Sequence, residues 1–172
     1  MYQFRKAKIE DIAEIVSLVE SAYRGETSRN GWTTEADLLD GQRTDHNEIS
    51  SLIRQPDSEI ILCEEQTMLL ASVHIVNKTS SAYLGMFAVD PQQQGKGIGK
   101  AVLSYVESQI KNQWSCKSIE MTVIKQRNEL IRWYQKRGYE ITGELRDFPY
   151  GNENYGIPRR DDLQLKVLKK YL

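Results

Sequence analysis

Three glycines alternate with other residues in the run Gln94-Gly95-Lys96-Gly97-Ile98-Gly99. Because glycine has no side chain, the backbone N–H groups of this run are left uncovered. Apolar residues recur at helical spacing after it, and the first turn of a helix adds four unpaired N–H groups and the positive end of the helix dipole. A turn of this kind is suited to bind an anion, most naturally a pyrophosphate.

The spacing of the glycines does not match two familiar phosphate-binding loops. The dinucleotide-binding fingerprint requires a glycine where Lys100 stands, and the P-loop requires Ser or Thr where Ala101 follows Gly99 and Lys100. A nucleotide-binding protein that uses this loop for ATP or NAD is therefore the weaker alternative.

The glycine loop lies between a predicted strand and a predicted helix. The strand, Ala82–Val89, is rich in large apolar residues and ends at Asp90-Pro91, which breaks a strand. Gly85 in its middle predicts a β-bulge or a close approach of another group, unless it serves packing alone. The helix after the loop has its apolar positions at Ile98, Val102, Leu103, Val106 and Ile110.

Strands and amphipathic helices alternate along the rest of the chain. Further strands are predicted at Tyr2–Lys6, Glu59–Glu64, Met68–Asn77, Ile119–Val123, Tyr139–Leu145 and Leu163–Lys169. Helices are predicted at Ile12–Tyr23, within the loop Glu26–Asp45, at Asn47–Arg54, and from a capping Asn128 to Gly138. This order predicts an α/β fold, and the long loop Arg146–Asp162 is a candidate for function.

Length, charge and cysteine content narrow the class of protein. Residues 1–172 are expected to form a single domain, and 23 Lys+Arg against 24 Asp+Glu leave no basic excess for nucleic-acid binding. No apolar run approaches the roughly 20 residues that cross a bilayer, and the N-terminus lacks a secretory signal, so a cytoplasmic protein is expected. Cys63 and Cys116 indicate buried thiols, and Asp45, His46 and Glu48 lack the spacing of metal ligands.

With its surroundings, the loop resembles the phosphate loop of the GNAT superfamily of N-acetyltransferases, which follows the pattern Gln/Arg-x-x-Gly-x-Gly/Ala between a strand and a helix. Gln94, Gly97 and Gly99 match that pattern. The likeness extends to an early strand with an arginine, a helix after Asp11, and the segments Ala88–Pro91 and Tyr134–Tyr139. It implies a single-domain GNAT-like fold, with a mixed central β-sheet that contains a splayed strand pair and about four flanking helices.

The resemblance implies acetyl-CoA, the acetyl thioester of coenzyme A, as cosubstrate, and no metal. In the family, the loop amides bind the pyrophosphate, and the preceding strand carries a bulge and pairs with the pantetheine arm. By position, the residues along the pantetheine are Phe87, Ala88, Val89 and Asn128, and those around the phosphates are Gln94, Gly95, Lys96, Gly97, Ile98, Gly99 and Lys100.

The resemblance also assigns Tyr134 as the general acid, because it matches the tyrosine of the family's Tyr-x-x-x-Gly-Phe/Tyr motif, which protonates the coenzyme A sulfur. A backbone N–H of the splayed strand would stabilise the oxyanion, with Phe87 and Val89 as candidates. The general base stays open among ordered water, His74, Glu26, Glu35 and Glu120.

Two loops that shape the acceptor site in this family are rich in charged and aromatic residues here. The candidates to bind an amine are Glu26, Trp32, Glu35, Tyr155 and Arg159. Carboxylates would hold the ammonium, an arginine would hold a carboxylate, and an aromatic ring would cover the apolar part. The resemblance implies direct acetyl transfer to a primary amine of a small molecule or peptide, and it is compatible with a homodimer. The alternative is a non-catalytic acyl-CoA-binding sensor or regulatory module of the same fold.

Overall fold

The computed structural model describes residues 1–172 and contains five α-helices. They are α1 (Ile12–Tyr23), α2 (Gly25–Ser28), α3 (His46–Arg54), α4 (Ile98–Gln113) and α5 (Asn128–Gln135). The side chain of Asp45 caps α3 by accepting a hydrogen bond from the backbone N–H of Glu48 at 2.8 Å. The model contains no helix of the length and hydrophobicity that a membrane span requires.

Seven strands form one mixed sheet, which confirms the predicted fold class. The strands of the protein are β1 (Gln3–Lys6), β2 (Leu39–Asp40), β3 (Ser58–Glu65), β4 (Met68–Asn77), β5 (Ser81–Val89), β6 (Ser118–Ile124), β7 (Glu140–Asp147), β8 (Ile157–Pro158) and β9 (Gln164–Tyr171). The sheet has the order β1-β3-β4-β5-β6-β9-β7, and only β5 and β6 are parallel neighbours.

Helices cover both faces of the sheet. Ile60 and Leu62 of β3 pack in the cluster that contains α1 and α3, whereas Ile61 and Cys63 pack in the cluster that contains α4 and α5. Because successive side chains of a strand point to opposite faces, a strand covered on both sides is apolar throughout. This double coverage explains the uninterrupted apolar run of β3. Cys63 and the second cysteine are both free and buried, as predicted.

The two central strands diverge. β5 pairs with β6 only through Ser81, Ala82 and Tyr83, and the strands separate beyond that point. A bulge in β5 accompanies the separation, because its register against β4 shifts where Met86 adopts a positive φ of 46°. The splayed strand pair is therefore confirmed, with the strained residue one position after Gly85. A Cβ on Gly85 would lie 2.7 Å from the ring of Tyr83, so glycine is required there for space.

A small two-stranded ribbon joins two loops that are far apart in sequence. Leu39 and Asp40 of β2 pair with Ile157 and Pro158 of β8. This pairing brings the loop after α1 against the loop before β9. The ribbon was not predicted, because strands of two residues carry no readable periodicity.

The start of α5 differs from the prediction. Asn128 is the first helical residue, and Arg127 occupies the capping position without a side-chain capping bond. The prediction that Asn128 caps this helix is therefore wrong. The carbonyl of Arg127 accepts the first helical hydrogen bond, from the N–H of Ile131 at 3.0 Å, and its side chain, which has only donors, is held in an ion pair with Glu35.

Candidate active site

A first cavity of about 290 Å³ opens between the glycine loop, the end of β5 and α5. Its lining combines glycine backbone with large aromatic side chains, namely Trp32, Thr33, Phe87, Val89, Gln94, Gly95, Gly97, Ile98, Gly99, Lys100, Leu130, Trp133, Tyr134 and Arg137. The cavity is thus polar at the start of α4 and aromatic at the other end. This division suits an elongated ligand with an anionic group at one end.

Backbone conformation explains two of the glycines in the loop. Gly95 and Gly97 have φ values of +84° and +83°, and a Cβ on either would meet nothing within 4 Å. Glycine is needed at both for its conformation, not for space. Gly99 is different, because a Cβ there would lie 3.3 Å from the ring of Trp133. The loop and the first turn of α4 together present unpaired N–H groups to the cavity.

The side chain of Gln94 forms hydrogen bonds with two separate segments of the chain. Its Oε1 accepts a hydrogen bond from the N–H of Trp32 at 2.9 Å, and its Nε2 donates to Oγ1 of Thr33 at 2.8 Å and to the carbonyl of Val89 at 3.1 Å. Gln94 therefore joins the loop after α1 to the end of β5. A Cβ on Gly31 would lie 2.5 Å from the same amide, which explains that glycine.

The two lysines of the loop differ in position. Both lysines are exposed, but only Lys100 lines the first cavity, whereas Lys96 donates to Oε1 of Gln93 at 2.7 Å. Only Lys100 is therefore placed to add charge to the anion-binding end.

The end of β5 turns backbone groups toward the gap between the central strands. The carbonyl of Phe87 accepts a hydrogen bond from the hydroxyl of Tyr23, and that of Val89 accepts from Gln94. Because N–H and C=O of one strand residue point to the same side, the N–H groups of Phe87 and Val89 also face this gap. Ala88 faces the other way, with its backbone in register with Ser72 and its side chain packed among α1 residues.

Tyr134 stands where the first cavity meets a second one, since it lines both and only 5% of it is exposed. Its ring is held edge-on by Trp133 at 5.0 Å and by Tyr139 at 5.6 Å between centroids. Burial raises the pKa of Tyr134 well above its usual value, so the phenol keeps its proton throughout the neutral range.

The second cavity, of about 180 Å³, occupies the gap where β5 and β6 diverge. It shares Phe87, Leu130 and Tyr134 with the first cavity. Its remaining lining is mostly apolar and includes four charged side chains, those of Arg24, Glu35, Arg43 and Arg127. The other lining residues are Tyr23, Leu39, Tyr83, Leu84, Gly85, Met86, Met121, Thr122, Val123, Ile124, Phe148, Pro149, Tyr155 and Leu165.

Glu35 is held between two arginines in the wall of the second cavity. Arg24 donates to its Oε1 at 2.6 Å and Arg127 donates to its Oε2 at 2.9 Å, with all three side chains at most 9% exposed. Burial by itself raises the pKa of Glu35, but the charges of Arg127 and Arg24 outweigh it, and the pKa lies below its usual value. Glu35 is therefore an ionised structural anion and a poor proton acceptor.

Arg43 lines the same cavity without an anionic partner. Its guanidinium lies 5.7 Å from the ring centroid of Tyr23, and that of Arg127 lies 5.8 Å from the same centroid. The Nη1 atom of Arg43 is buried and makes no hydrogen bond. Its backbone N–H donates to Glu20 at 2.7 Å, which fixes the loop that carries it.

The residues predicted for the acceptor site do not all come together. Glu35 and Tyr155 line the second cavity, whereas Trp32 lines the first. Glu26 is exposed and pairs with a neighbouring arginine, and Arg159 is 48% exposed and donates to the carbonyl of Ala36. These two residues lie outside both linings, as does the exposed Asn128.

Two of the candidates for the general base also lie elsewhere. Nε2 of His74 lies 2.8 Å from Oγ of Ser58. Burial lowers the pKa of His74 to about 4, and the charge of Arg43 makes a smaller contribution. Glu120 lies 3.6 Å from Arg146 and is not part of the second cavity's lining. Within that lining, Glu35 is the one carboxylate, and it forms ion pairs with Arg24 and Arg127.

Sequence reasoning placed Arg43 in an acceptor-site loop but gave it no role, and it missed several residues of the linings, namely Tyr23, Arg127, Leu130 and Trp133. Tyr23 and Leu130 fall on apolar helix faces, and their pattern is that of core residues. Arg43 and Arg127 lie in short connections without periodicity. Only Trp133 carried a sequence signal of a place in the lining, namely its position directly before Tyr134.

Comparison with known proteins gives a family and several relatives. The chain matches the model of the acetyltransferase (GNAT) family over residues 14–139. It is 33% identical over 69 residues to the spermine/spermidine N(1)-acetyltransferase of Bacillus subtilis (strain 168), a match that spans 40% of this chain and 45% of that protein. The chain thus matches about half the length of this relative.

A second relative and a solved structure match more of the chain. The S-alkylcysteine N-acetyltransferase of the same Bacillus subtilis strain is 25% identical over 143 residues, which is 80% of this chain and 78% of that protein. The crystal structure of the ribosomal-protein-S18-alanine N-acetyltransferase from Escherichia coli superposes with a TM-score of 0.73 at 13% identity, covering 99% of this chain and 94% of that chain. At this identity, the structural match establishes a shared fold.

Proposed function

Because the chain belongs to the acetyltransferase (GNAT) family, we propose that it transfers an acetyl group from acetyl-CoA directly to a primary amine of a small molecule or peptide. The observation that carries this proposal is the meeting of two cavities at Tyr134 and Phe87. A thioester in the first cavity and an amine in the second would reach each other only across this shared wall.

The first cavity has the features that coenzyme A requires. Gly95, Gly97 and the first turn of α4 supply backbone N–H donors for the pyrophosphate, and Lys100 adds a positive charge. The splayed end of β5 offers the N–H groups of Phe87 and Val89 to the pantetheine arm, in the manner of an added strand. Trp32 and Trp133, with ring centroids 6.2 Å apart, supply apolar walls.

Acetyl-CoA supplies a thioester whose carbonyl carbon the neutral amine attacks, so that a C–N bond forms and the C–S bond breaks. Backbone N–H groups of β5 in the gap stabilise the negative charge that develops on the carbonyl oxygen. Tyr134 donates its phenolic proton to the departing sulfur, and the proton released by the amine nitrogen restores the phenol or passes to water. From the neutral amine, the products are the amide and the free thiol, with no net release of a proton.

The relatives are named for two kinds of acceptor. Spermine and spermidine carry several ammonium groups, whereas S-alkylcysteine carries one amine and one carboxylate. Both kinds are primary amines, and they define the first acceptors to compare.

The test is acceptor-dependent release of free thiol from acetyl-CoA by the purified protein, with polyamines, amino acids, aminoglycosides and peptides as acceptors. Each reaction needs a control without acceptor, and mass spectrometry should find the acetylated product. If every acceptor gives only background thiol while acetyl-CoA still raises the melting temperature, the result contradicts the proposed reaction with these acceptors and favours the acyl-CoA sensor, or an acceptor outside the panel.

A further inference from the structure

The second cavity is positively charged. Arg24, Arg43 and Arg127 line it with the single carboxylate of Glu35. Glu35 accepts hydrogen bonds from two of these arginines, and the third, Arg43, has no carboxylate within ion-pair distance. The lining therefore carries an excess of cationic charge next to Tyr134, where the acceptor amine must react.

The arginines also retain unused hydrogen-bond donors. The Arg43 side chain makes no hydrogen bond within the protein, and only its Nη1 is closed off from solvent, so Nε and Nη2 remain open donors. Arg127 uses Nη1 on Glu35 and Nη2 on the carbonyl of Thr33, and its Nε makes no bond within the protein. A guanidinium matches a carboxylate with two parallel hydrogen bonds.

We propose that the acceptor is a small amino acid with an apolar side chain, whose carboxylate binds Arg43 and Arg127. This inference rests on the proposed function. The apolar side chain would lie against Leu39, Phe148 and Leu165. A volume of about 180 Å³ suits a molecule of this size. A polyamine would instead bring further positive charges to a cavity that is already cationic.

The positive charge of the second cavity would also favour the acetyl transfer. Attack on the thioester requires a neutral amine, and nearby cations disfavour the ammonium form. Arg43 and Arg127 would therefore lower the pKa of the bound ammonium group, and water could accept its proton. This accounts for a reactive cavity whose only carboxylate, Glu35, is bound by two arginines.

Matched acceptors isolate the contribution of the carboxylate. Methionine, leucine and phenylalanine are each compared with the corresponding amino-acid amide and with the decarboxylated amine, and spermidine is included as the polycation. We expect kcat/KM to be about tenfold to a hundredfold higher for the acids than for their amides, the range that a charge-assisted hydrogen bond supplies. Spermidine should be the poorest acceptor.

An arginine variant links the preference to the cavity. In Arg43→Gln, the ratio of kcat/KM for acid over amide should fall by about tenfold, with the KM for acetyl-CoA unchanged. Because this ratio compares two acceptors on one enzyme preparation, partial misfolding does not alter it. Arg132→Gln is the control, since Arg132 is an exposed residue of α5 outside both linings.

The possible outcomes separate this proposal from the proposed function. Turnover with amides or spermidine at or above the rate of the acids leaves an acetyltransferase in place and overturns the amino-acid acceptor. An unchanged acid-to-amide ratio in Arg43→Gln overturns the role of Arg43. Background thiol release with every acceptor overturns the proposed function itself.

Discussion

The hydroxyl of Tyr23 donates a hydrogen bond to the backbone carbonyl of Phe87. Tyr23 is the last residue of α1, and Phe87 lies just after the bulge of β5. This bond holds the splayed strand against the helix on one face of the sheet, and both residues line the second cavity. One tyrosine therefore connects the core under α1 to the β5 backbone at the second cavity.

Tyr23→Phe should lower the free energy of unfolding by about 1 kcal/mol, because it leaves a carbonyl without its partner. Activity should fall as well, since the N–H of Phe87 shares the orientation of that carbonyl. Urea denaturation followed by fluorescence measures the first effect. Tyr171→Phe, at a site that is 72% exposed, is the control and should leave stability unchanged.

Tyr134→Phe should lower kcat for thiol release by about a hundredfold or more while the KM for acetyl-CoA changes little. The variant loses only the proton donor, since the ring keeps its contacts with Trp133 and Tyr139. Steady-state kinetics at saturating acceptor measure the effect, with Tyr105→Phe as the control outside both linings. Turnover equal to that of the unmodified enzyme would remove Tyr134 from the mechanism.

Gly97→Ala should weaken coenzyme A binding, because an L-residue at φ +83° is strained and the loop would relax out of its anion-binding shape. Isothermal titration should show a Kd raised by about tenfold, equivalent to about 1.4 kcal/mol. Gly151→Ala is a matched control, since Gly151 has the same φ, open space around it, and a position outside both linings. A similar loss of affinity in both variants would mean that general instability, not the phosphate loop, is responsible.

Glu35→Gln should lower the free energy of unfolding by about 3–5 kcal/mol at neutral pH, because it leaves Arg24 and Arg127 buried without their anion. The pKa of Glu35 is depressed in the folded protein, so its contribution to stability is complete above the ordinary value of 4.5 and is lost as the pH falls below that value. The difference between the two proteins should therefore shrink in acid. Urea unfolding at a series of pH values measures it, and a difference that does not depend on pH would contradict the assignment.

Much of the fold could be predicted because its determinants are local. The alternation of strands and helices follows from side-chain periodicity and from breakers such as Asp90-Pro91. The glycine loop is equally local, since Gly95 and Gly97 adopt conformations that few other residues tolerate. The splay of β5 from β6 was predicted by resemblance. Met86, not Gly85, takes the positive φ, and Gly85 is needed for space beneath Tyr83.

The second cavity depended on tertiary structure. Its charged wall joins Arg24, Glu35, Arg43 and Arg127, and the ribbon of β2 and β8 brings the loops of its rim together. In the sequence, these charged residues are indistinguishable from solvated surface residues such as Glu26. Packing alone decided which carboxylate was buried between two arginines and which arginine was left unpaired. Burial and long-range ion pairing are properties of the folded chain, so they leave no periodic pattern in the sequence.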